Sequence, residues 1–332
     1  MVTLGLVFTL LSGIANGLFT APMKIMPSWK WENIWLVFIV TACIAMPLAM
    51  TLCAVGNPAG ILAALPGPAV TAALAFGFAW GFGSIMFGLS VHTLGVSLAN
   101  SMVIGLSSAA GSVVPLLISG AFRVEPRQVV LLAGVAVFLA GVGLCTKAGR
   151  LREGALEERP SIRGYLFAVG SGIMSAVFNI GYSLALPIAD AGAGLGISRF
   201  SATNLIWLLM LGAGSLPNIA LCSRLLARNR TAGLFRGPSA GRNWALSMLM
   251  GLLWGGSIYL YGAATPLLGD IGPSIGWPLS LAVGLLVANL MGVLLGEWRA
   301  APPRAVRFMW AGILTLLAAI VMCGLSTRLG VA

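Results

Sequence analysis

Residues 80–95 read WGFGSIMFGLSVHTLG, and residues 254–269 read WGGSIYLYGAATPLLG. Both segments open with Trp-Gly, carry an aromatic residue before Gly at the same place, and close with Leu-Gly, 174 residues apart. The similarity extends outward: GLVFTLLSGIANGLFT (5–20) matches GYLFAVGSGIMSAVFN (164–179) at an offset of 159, and GAFR (120–123) matches GEWR (296–299) at 176. The offsets increase in order along the chain, which indicates an internal duplication with small loop insertions.

The composition places this duplication in a membrane. The 332 residues are 59% hydrophobic and only 8% charged, and apolar runs of about 20 residues match a hydrocarbon core about 30 Å thick. Strand-type alternation is absent, so we predict an all-α membrane protein rather than a barrel. Ten spans are predicted, at about 3–25, 33–55, 69–91, 96–119, 128–146, 163–187, 200–224, 243–266, 272–295 and 304–326.

The positive charges predict the orientation of these spans. With ten spans, the odd-numbered loops hold fifteen of the nineteen Lys and Arg residues. The positive-inside rule places those loops in the cytoplasm and both termini on the periplasmic or extracellular side. The net charge of +11 is therefore interpreted as a topology signal, and nucleic acid is not predicted as a partner.

The most charged stretch, KAGRLREGALEERPSIR (147–163), lies at the midpoint of the chain. We predict a first five-helix repeat over 1–150, a charged cytoplasmic linker over 151–162, and a second five-helix repeat over 163–332. Because each half holds an odd number of spans, the two repeats are predicted to be inverted in the membrane. Inverted repeats allow two halves to rock about a central site, which favours a transporter.

Polar side chains inside the spans are the candidates for that central site. Ser12 and Asn16 are four residues apart on the first helix, as are Ser175 and Asn179 on the sixth, so each pair shares a helix face. Hydroxyl and amide groups beside aromatic rings suit a neutral polyol, although hydrogen bonds between helices explain the same pattern. The predicted substrate-binding residues are Ser12, Asn16, Trp80, Ser84, Asn100, Ser101, Ser175, Asn179, Trp254, Ser257 and Trp277.

Ionisable groups are scarce in the predicted spans. No carboxylate lies in the middle of a span, and the best candidates for proton coupling are Asp270 and His92, for which a capping or loop role is the alternative. No spacing of Cys, His or acidic residues suggests a metal site, so neither a metal nor another cofactor is predicted. No HExxH, acid dyad or Ser/His/Asp set indicates an enzyme.

Several motifs resemble those of the L-rhamnose–proton symporter family, within the drug/metabolite transporter superfamily. They are APMK (21–24), WKWE (29–32), WGFGS (80–84), FGL (87–89), TKAG (146–149), GLLW (251–254) and LLGEW (294–298). The resemblance covers nearly the whole chain and implies ten helices in two inverted halves around a central cavity. Ser84 stands where the family usually has Asn, Ser257 where a longer amide is expected, and His92 where Arg is common.

The resulting prediction is a multi-pass secondary active transporter of the bacterial inner membrane that imports a small neutral sugar, a 6-deoxyhexose such as L-rhamnose, by proton symport with alternating access. The alternative is an uncoupled facilitator or exporter of another small polar metabolite on the same fold. The predicted partners are the sugar, the proton and membrane lipid. Closely packed glycine faces fit a homodimer or a monomer equally well.

Overall fold

Ten long helices form the framework of the computed structural model, which describes residues 2–55, 58–94, 96–118, 125–153, 162–269, 272–294, 296, 298–299, 301–326 and 329. We number the helices α1 to α10 in chain order. They are α1 Val2–Leu18, α2 Trp31–Val55, α3 Gly67–Leu94, α4 Val96–Ile118, α5 Pro126–Glu153, α6 Ile162–Ala185, α7 Arg199–Asn229, α8 Ala240–Ala264, α9 Gly272–Leu294 and α10 Pro303–Ser326.

The all-helical class is confirmed, since no strand occurs among the described residues. Nine helices in this part of the chain are long and apolar enough to cross a membrane. The remaining helix, α4, was predicted as a span over 96–119, and within it the described residues give a shorter apolar stretch, Met102–Gly111. Most predicted span ends lie within three residues of the observed helix ends.

Two helices continue well past their predicted cytoplasmic ends. Helix α5 was predicted to end at 146 and continues to Glu153, and α7 was predicted to end at 224 and continues to Asn229. Basic side chains in a last helical turn interact favourably with the helix dipole. In α5 the extension is also held by cation–π contacts: Lys147 Nζ lies 4.3 Å from the Phe308 ring centroid, and the Arg152 guanidinium 4.9 Å from that of Trp298.

The described chain divides into two compact units. The first comprises Met1–Gly17, Gly83–Ile180 and Ala264–Ala332, and thus contains most of α1, the last part of α3, α4, α5, most of α6, α9 and α10. Its apolar core includes Phe138, Val142 and Leu316, contributed by α5 and α10. The second unit comprises Leu18–Phe82 and Gly181–Ala263, and contains α2, the first part of α3, α7 and α8.

Glycines bring helix backbones close together in the first unit. A Cβ at Gly13 of α1 would lie 2.5 Å from Val283 Cβ of α9, and a Cβ at Gly172 of α6 would lie 2.9 Å from Leu106 Cβ of α4. Real Cβ atoms do not tolerate such distances, so these positions require glycine. Small residues at contacts of this kind let membrane helices approach closely, and here they pair α1 with α9 and α6 with α4.

The same device joins the helices of the second unit. Gly77 and Gly81, one turn apart on α3, lie against the backbone of Met210 and Gly214 of α7. Gly251, on α8, lies against Thr41 and the Phe38 carbonyl of α2. The glycine pairs GxxxG in α3 and α8 therefore mark the faces along which α3 packs on α7 and α8 packs on α2.

Helix α2 contains a π-helical segment, Thr41–Ala45, between two α-helical parts. Pro47 is the second residue after this segment, and its ring nitrogen carries no hydrogen to bond the carbonyl of Cys43. A proline also clashes with the carbonyl four residues earlier, so the backbone widens locally to accommodate it. The widened turn lies beside Gly251 and Gly255 of α8, where the absence of side chains leaves room for it.

Candidate functional site

Two of the predicted binding residues of the first unit meet on α4. Asn179 of α6 is fully buried, and its Nδ2 donates a hydrogen bond to the carbonyl oxygen of Gly111 at 2.8 Å. Trp277 of α9 is 8% exposed, and its Nε1 donates to Ser107 Oγ at 3.1 Å. Ser107 and Gly111 are one turn apart on α4, so one face of this helix receives polar groups from both α6 and α9.

Gly111 allows this arrangement because the indole of Trp277 lies directly against it. A Cβ at this position would lie 2.7 Å from Trp277 Cδ1 and 2.9 Å from Nε1. The ring of Phe178 also lies near the indole, with its centroid 6.4 Å away and its plane tilted by 47°. The cluster of Ser107, Gly111, Phe178, Asn179 and Trp277, called here the α4 cluster, combines amide and hydroxyl groups with an aromatic face.

A second polar contact in the first unit joins α1 to α9. The hydroxyl oxygens of Ser12 and Ser280 lie 2.8 Å apart, and both residues are buried. Asn16, one turn further along α1, is half-buried and lies against Gly284. Ser175 of α6 is half-buried as well. On these two predicted polar faces, Ser12 of α1 therefore contacts α9, and Asn179 of α6 contacts α4.

In the second unit, Trp80 of α3 and Trp254 of α8 stack on each other. Their ring centroids are 5.3 Å apart and their planes differ by 13°. Trp254 also meets Phe38 edge to face at 5.9 Å, and Trp35 follows next to Phe38 at 4.8 Å. Trp35 Nε1 donates to Asn218 Oδ1 at 3.0 Å, which links these aromatic residues to a buried amide of α7.

The two serines that depart from the family pattern are both buried. Ser84 of α3 is 8% exposed, and Ser257 of α8 is 2% exposed. Ser257 Oγ donates a hydrogen bond of 2.7 Å to the carbonyl of Trp254 in its own helix. At this position the shorter side chain is thus directed back to the helix that carries it.

Four predicted residues have side chains or positions that the structure leaves undescribed. For Asn100 and Ser101 on α4 and for His92 on α3, the structure describes the helical backbone but not the side chains. Asp270 lies outside the described residues altogether. Both proton-coupling candidates therefore stay predictions from the sequence.

Several residues of these clusters escaped the sequence analysis. Gly111 and Phe178 carry no polar atom in their side chains, so polar spacing could not select them. Trp31, Trp35 and Phe38 are spaced by four and three residues, a helical-face pattern that signals their stacking on α2. That signal was present in the sequence, whereas the contact between Gly111 and Trp277 depends on two helices 166 residues apart.

Comparison with known proteins places the chain among membrane transporters. A family model described as the L-rhamnose-proton symport protein (RhaT) matches residues 1–328. The chain belongs to the L-rhamnose-proton symport protein family. Curated L-rhamnose-proton symporters from Klebsiella pneumoniae (strain 342) and Escherichia coli (strain 55989) are 29% and 28% identical to it over 340 residues, each alignment covering 98% of both chains.

A solved structure described only as a crystal structure of a protein supports the fold. It superimposes with a TM-score of 0.63 at 16% identity, covering 99% of each chain. The L-rhamnose-proton symport protein family is a family of transporters and not of enzymes. With its many apolar helices, this member is a multi-pass protein of the bacterial inner membrane.

Proposed function

We propose that this protein is a secondary transporter that imports a small neutral sugar, a 6-deoxyhexose such as L-rhamnose, together with protons. The observation that carries this proposal is the family match over residues 1–328, since the relatives over the same length are L-rhamnose-proton symporters. The drug/metabolite transporter superfamily and a mechanism of alternating access are part of the same proposal.

Reciprocal packing of the helices supports an inverted repeat. In the second unit, α3 packs on α7 through Gly77, while its repeat equivalent α8 packs on α2 through Gly251. In the first unit, α6 packs on α4 while its equivalent α1 packs on α9. Each contact thus has a counterpart with the two halves of the chain exchanged, as a two-fold relationship in the membrane plane requires.

Helices α5 and α10, which are equivalent to each other in the proposed repeat, pack on each other through reciprocal contacts. A Cβ at Gly141 would lie 3.0 Å from Leu316 Cγ, and a Cβ at Gly312 would lie 2.5 Å from Cys145 Sγ. Gly141 and Gly312 are 171 residues apart, and so are Cys145 and Leu316. A contact that maps onto itself when the two partners are exchanged is the signature of a two-fold axis passing between them.

The chemistry of the clusters supports a neutral solute. Asn179 and Ser107 offer amide and hydroxyl groups, and Trp277 offers an aromatic face beside them. A sugar presents hydroxyls for hydrogen bonds and C–H faces for an indole, so the α4 cluster matches both parts of such a ligand. We propose that substrate contacts the α4 cluster together with Asn16 and Ser175 of the first unit. For the second unit, the contribution of Trp80 and Trp254 stays a separate prediction from the sequence.

Both termini are proposed to face the periplasm, because fifteen basic residues lie in the loops on the opposite side. His92 and Asp270 remain the proposed proton carriers. Helices α5 and α10 stand behind the cavity in this proposal, which agrees with their dense packing on each other in the first unit.

Uptake of labelled L-rhamnose into proteoliposomes, with and without an inward proton gradient, tests this function. We expect the vesicles to accumulate L-rhamnose against its concentration gradient, and only when the proton gradient is present. Asn179→Ala and Asn16→Ala are expected to lower uptake while the protein still inserts. Asn289→Ala is the matched control, because the Nδ2 of this half-buried amide on α9 donates to Leu285 O of its own helix at 2.8 Å and to Cys145 Sγ of α5 at 3.7 Å, and neither acceptor belongs to the α4 cluster.

Other outcomes assign the alternatives. Exchange of labelled for unlabelled sugar without accumulation would identify an uncoupled facilitator. Absence of flux with L-rhamnose and with a panel of other monosaccharides would overturn the sugar assignment. Unchanged uptake by Asn179→Ala would remove the α4 cluster from the binding site.

A further inference from the structure

Five arginines lie between the last turns of α7 and the first turn of α8. The segment 222–242 contains no acidic residue, and none occurs from 191 to 269. All five side chains are exposed. We call this set of exposed side chains the arginine platform, and its members are Arg224, Arg228, Arg230, Arg236 and Arg242.

The platform is anchored to the start of α2. Trp29 packs edge to face on Phe235 at 5.2 Å and on Trp244 at 5.8 Å, and its Nε1 donates to the carbonyl of Leu234 at 3.1 Å. Asn243 Nδ2 donates to Ser28 Oγ at 2.9 Å. The connection between α7 and α8 is therefore held by aromatic and polar contacts, and its arginines are carried on an ordered backbone.

Arg230 has an unfavourable backbone conformation. With φ of 54° and ψ of 35° it is left-handed, and it is the one non-glycine residue with positive φ in the described part of the chain. This position caps the C-terminus of α7, where glycine is the preferred residue because it has no Cβ penalty. A strained arginine in place of glycine indicates a role for its side chain.

Glu32 holds that conformation by binding both neighbours of Arg230. Its Oε1 accepts hydrogen bonds from Asn229 Nδ2 at 3.0 Å and from Thr231 Oγ1 at 2.8 Å, and the Glu32 residue is 5% exposed. Asn33 Nδ2 also donates to the carbonyl of Thr231 at 3.0 Å. The residues before and after Arg230 are thus fixed, while the arginine side chain itself remains exposed.

We propose that the arginine platform binds the phosphodiester headgroups of anionic phospholipids. Guanidinium groups bind phosphate oxygens through two parallel hydrogen bonds, and an ordered backbone reduces the entropy lost on binding. Clusters of four to eight basic residues at the end of a membrane helix bind anionic lipid in this way. The Glu32 clamp then serves to direct Arg230 toward the headgroup layer, at the expense of backbone strain.

Thermal unfolding of the full-length protein in detergent, with added phosphatidylglycerol or phosphatidylcholine, tests the proposal. Phosphatidylglycerol is expected to raise the midpoint more than phosphatidylcholine, and 1 M salt is expected to remove the difference because the Debye length falls to about 3 Å. Replacing Arg224, Arg228 and Arg236 by Gln is expected to lower the apparent affinity for phosphatidylglycerol about fivefold for each charge removed. The matched control replaces Arg299, Arg304 and Arg307, three exposed arginines of the first unit.

Arg230→Gly separates lipid binding from a purely structural role. Glycine relieves the left-handed strain, so the midpoint in detergent alone is expected to rise, while the gain from phosphatidylglycerol is expected to fall. The two changes have opposite signs, which a role in folding alone would not produce. Lipid retained on the purified variants, counted by mass spectrometry, provides a readout that is independent of stability and of transport.

Three outcomes would overturn the proposal. Equal stabilisation by the two lipids would show that the protein has no preference for an anionic headgroup. Equal losses of this stabilisation in the platform and control variants would show that any exposed basic residues have the same effect. Equal stabilisation by inorganic phosphate alone would indicate an anion site without lipid preference. A normal response of Arg230→Gly to phosphatidylglycerol would leave its strain without a role in lipid binding.

Discussion

Trp80 and Trp254 stack with ring centroids 5.3 Å apart, and these same two residues are equivalent positions of the predicted sequence repeat, 174 residues apart. Residues related by a two-fold axis contact each other only where they lie next to that axis. Under the proposed inverted repeat, the indole pair would therefore lie on or near the axis of the second unit. Its partners Phe38 and Trp35 extend the aromatic contact along α2.

The first prediction concerns the energetic coupling of this pair. In a double-mutant cycle of Trp80→Ala and Trp254→Ala, the coupling is expected to be about 1 kcal/mol, because stacked aromatic pairs contribute about 0.5–1.5 kcal/mol beyond their buried area. Reversible unfolding in mixed micelles measures it. Trp310→Ala serves as control, since Trp310 is 46% exposed. Strict additivity of the two single variants would contradict the stack.

The second prediction concerns the glycine contact between α8 and α2. Gly251→Ala is expected to lower the free energy of unfolding by about 1–3 kcal/mol, because its Cβ would lie 2.6 Å from Thr41 Cβ and force the helices apart. Gly212→Ala, in the same unit, is the control because nothing lies within 4 Å of its Cβ position. Similar stability of both variants would show that α8 and α2 separate without cost.

The third prediction concerns the α4 cluster. Gly111→Ala is expected to displace the Trp277 indole and to raise KM for sugar uptake about tenfold, which corresponds to about 1.4 kcal/mol of binding energy. Gly143→Ala, whose Cβ would meet nothing within 4 Å, is the control in the first unit. Insertion and thermal midpoint are measured alongside. A loss of stability with an unchanged KM would assign Gly111 to packing alone.

The fourth prediction concerns the π-helical segment of α2. Pro47→Ala supplies the missing N–H for the Cys43 carbonyl, so the segment is expected to return to α-helical geometry and to become more stable by about 1 kcal/mol. Amide hydrogen exchange over residues 41–47 is expected to slow. If the wide turn acts as a hinge, the maximal transport rate falls as well. Leu48→Ala, at a side chain that is 46% exposed, is the control.

Local features of the sequence determined the positions of the helices. The predicted span at 272–295 corresponds to Gly272–Leu294, and the one at 304–326 to Pro303–Ser326. A run of about twenty apolar residues is sufficient for this prediction, because in lipid a helix satisfies all of its backbone hydrogen bonds by itself. The helix extensions to Glu153 and Asn229 were missed because charged residues end an apolar run without ending a helix.

The tertiary structure alone decided which helix each face contacts. The segments GFAWG (77–81) and GLLWG (251–255) each place two glycines on one helix face, but only the folded chain assigned Gly77 to α7 and Gly251 to α2. Likewise, Asn179 was selected from the sequence, whereas its partner, the carbonyl of Gly111, was not. A helix that is apolar on all sides carries no periodic mark of its inner face, since both lipid and protein interior accept the same side chains. The sequence by itself therefore determined the helices and their chemistry, and the contacts between distant segments determined their arrangement.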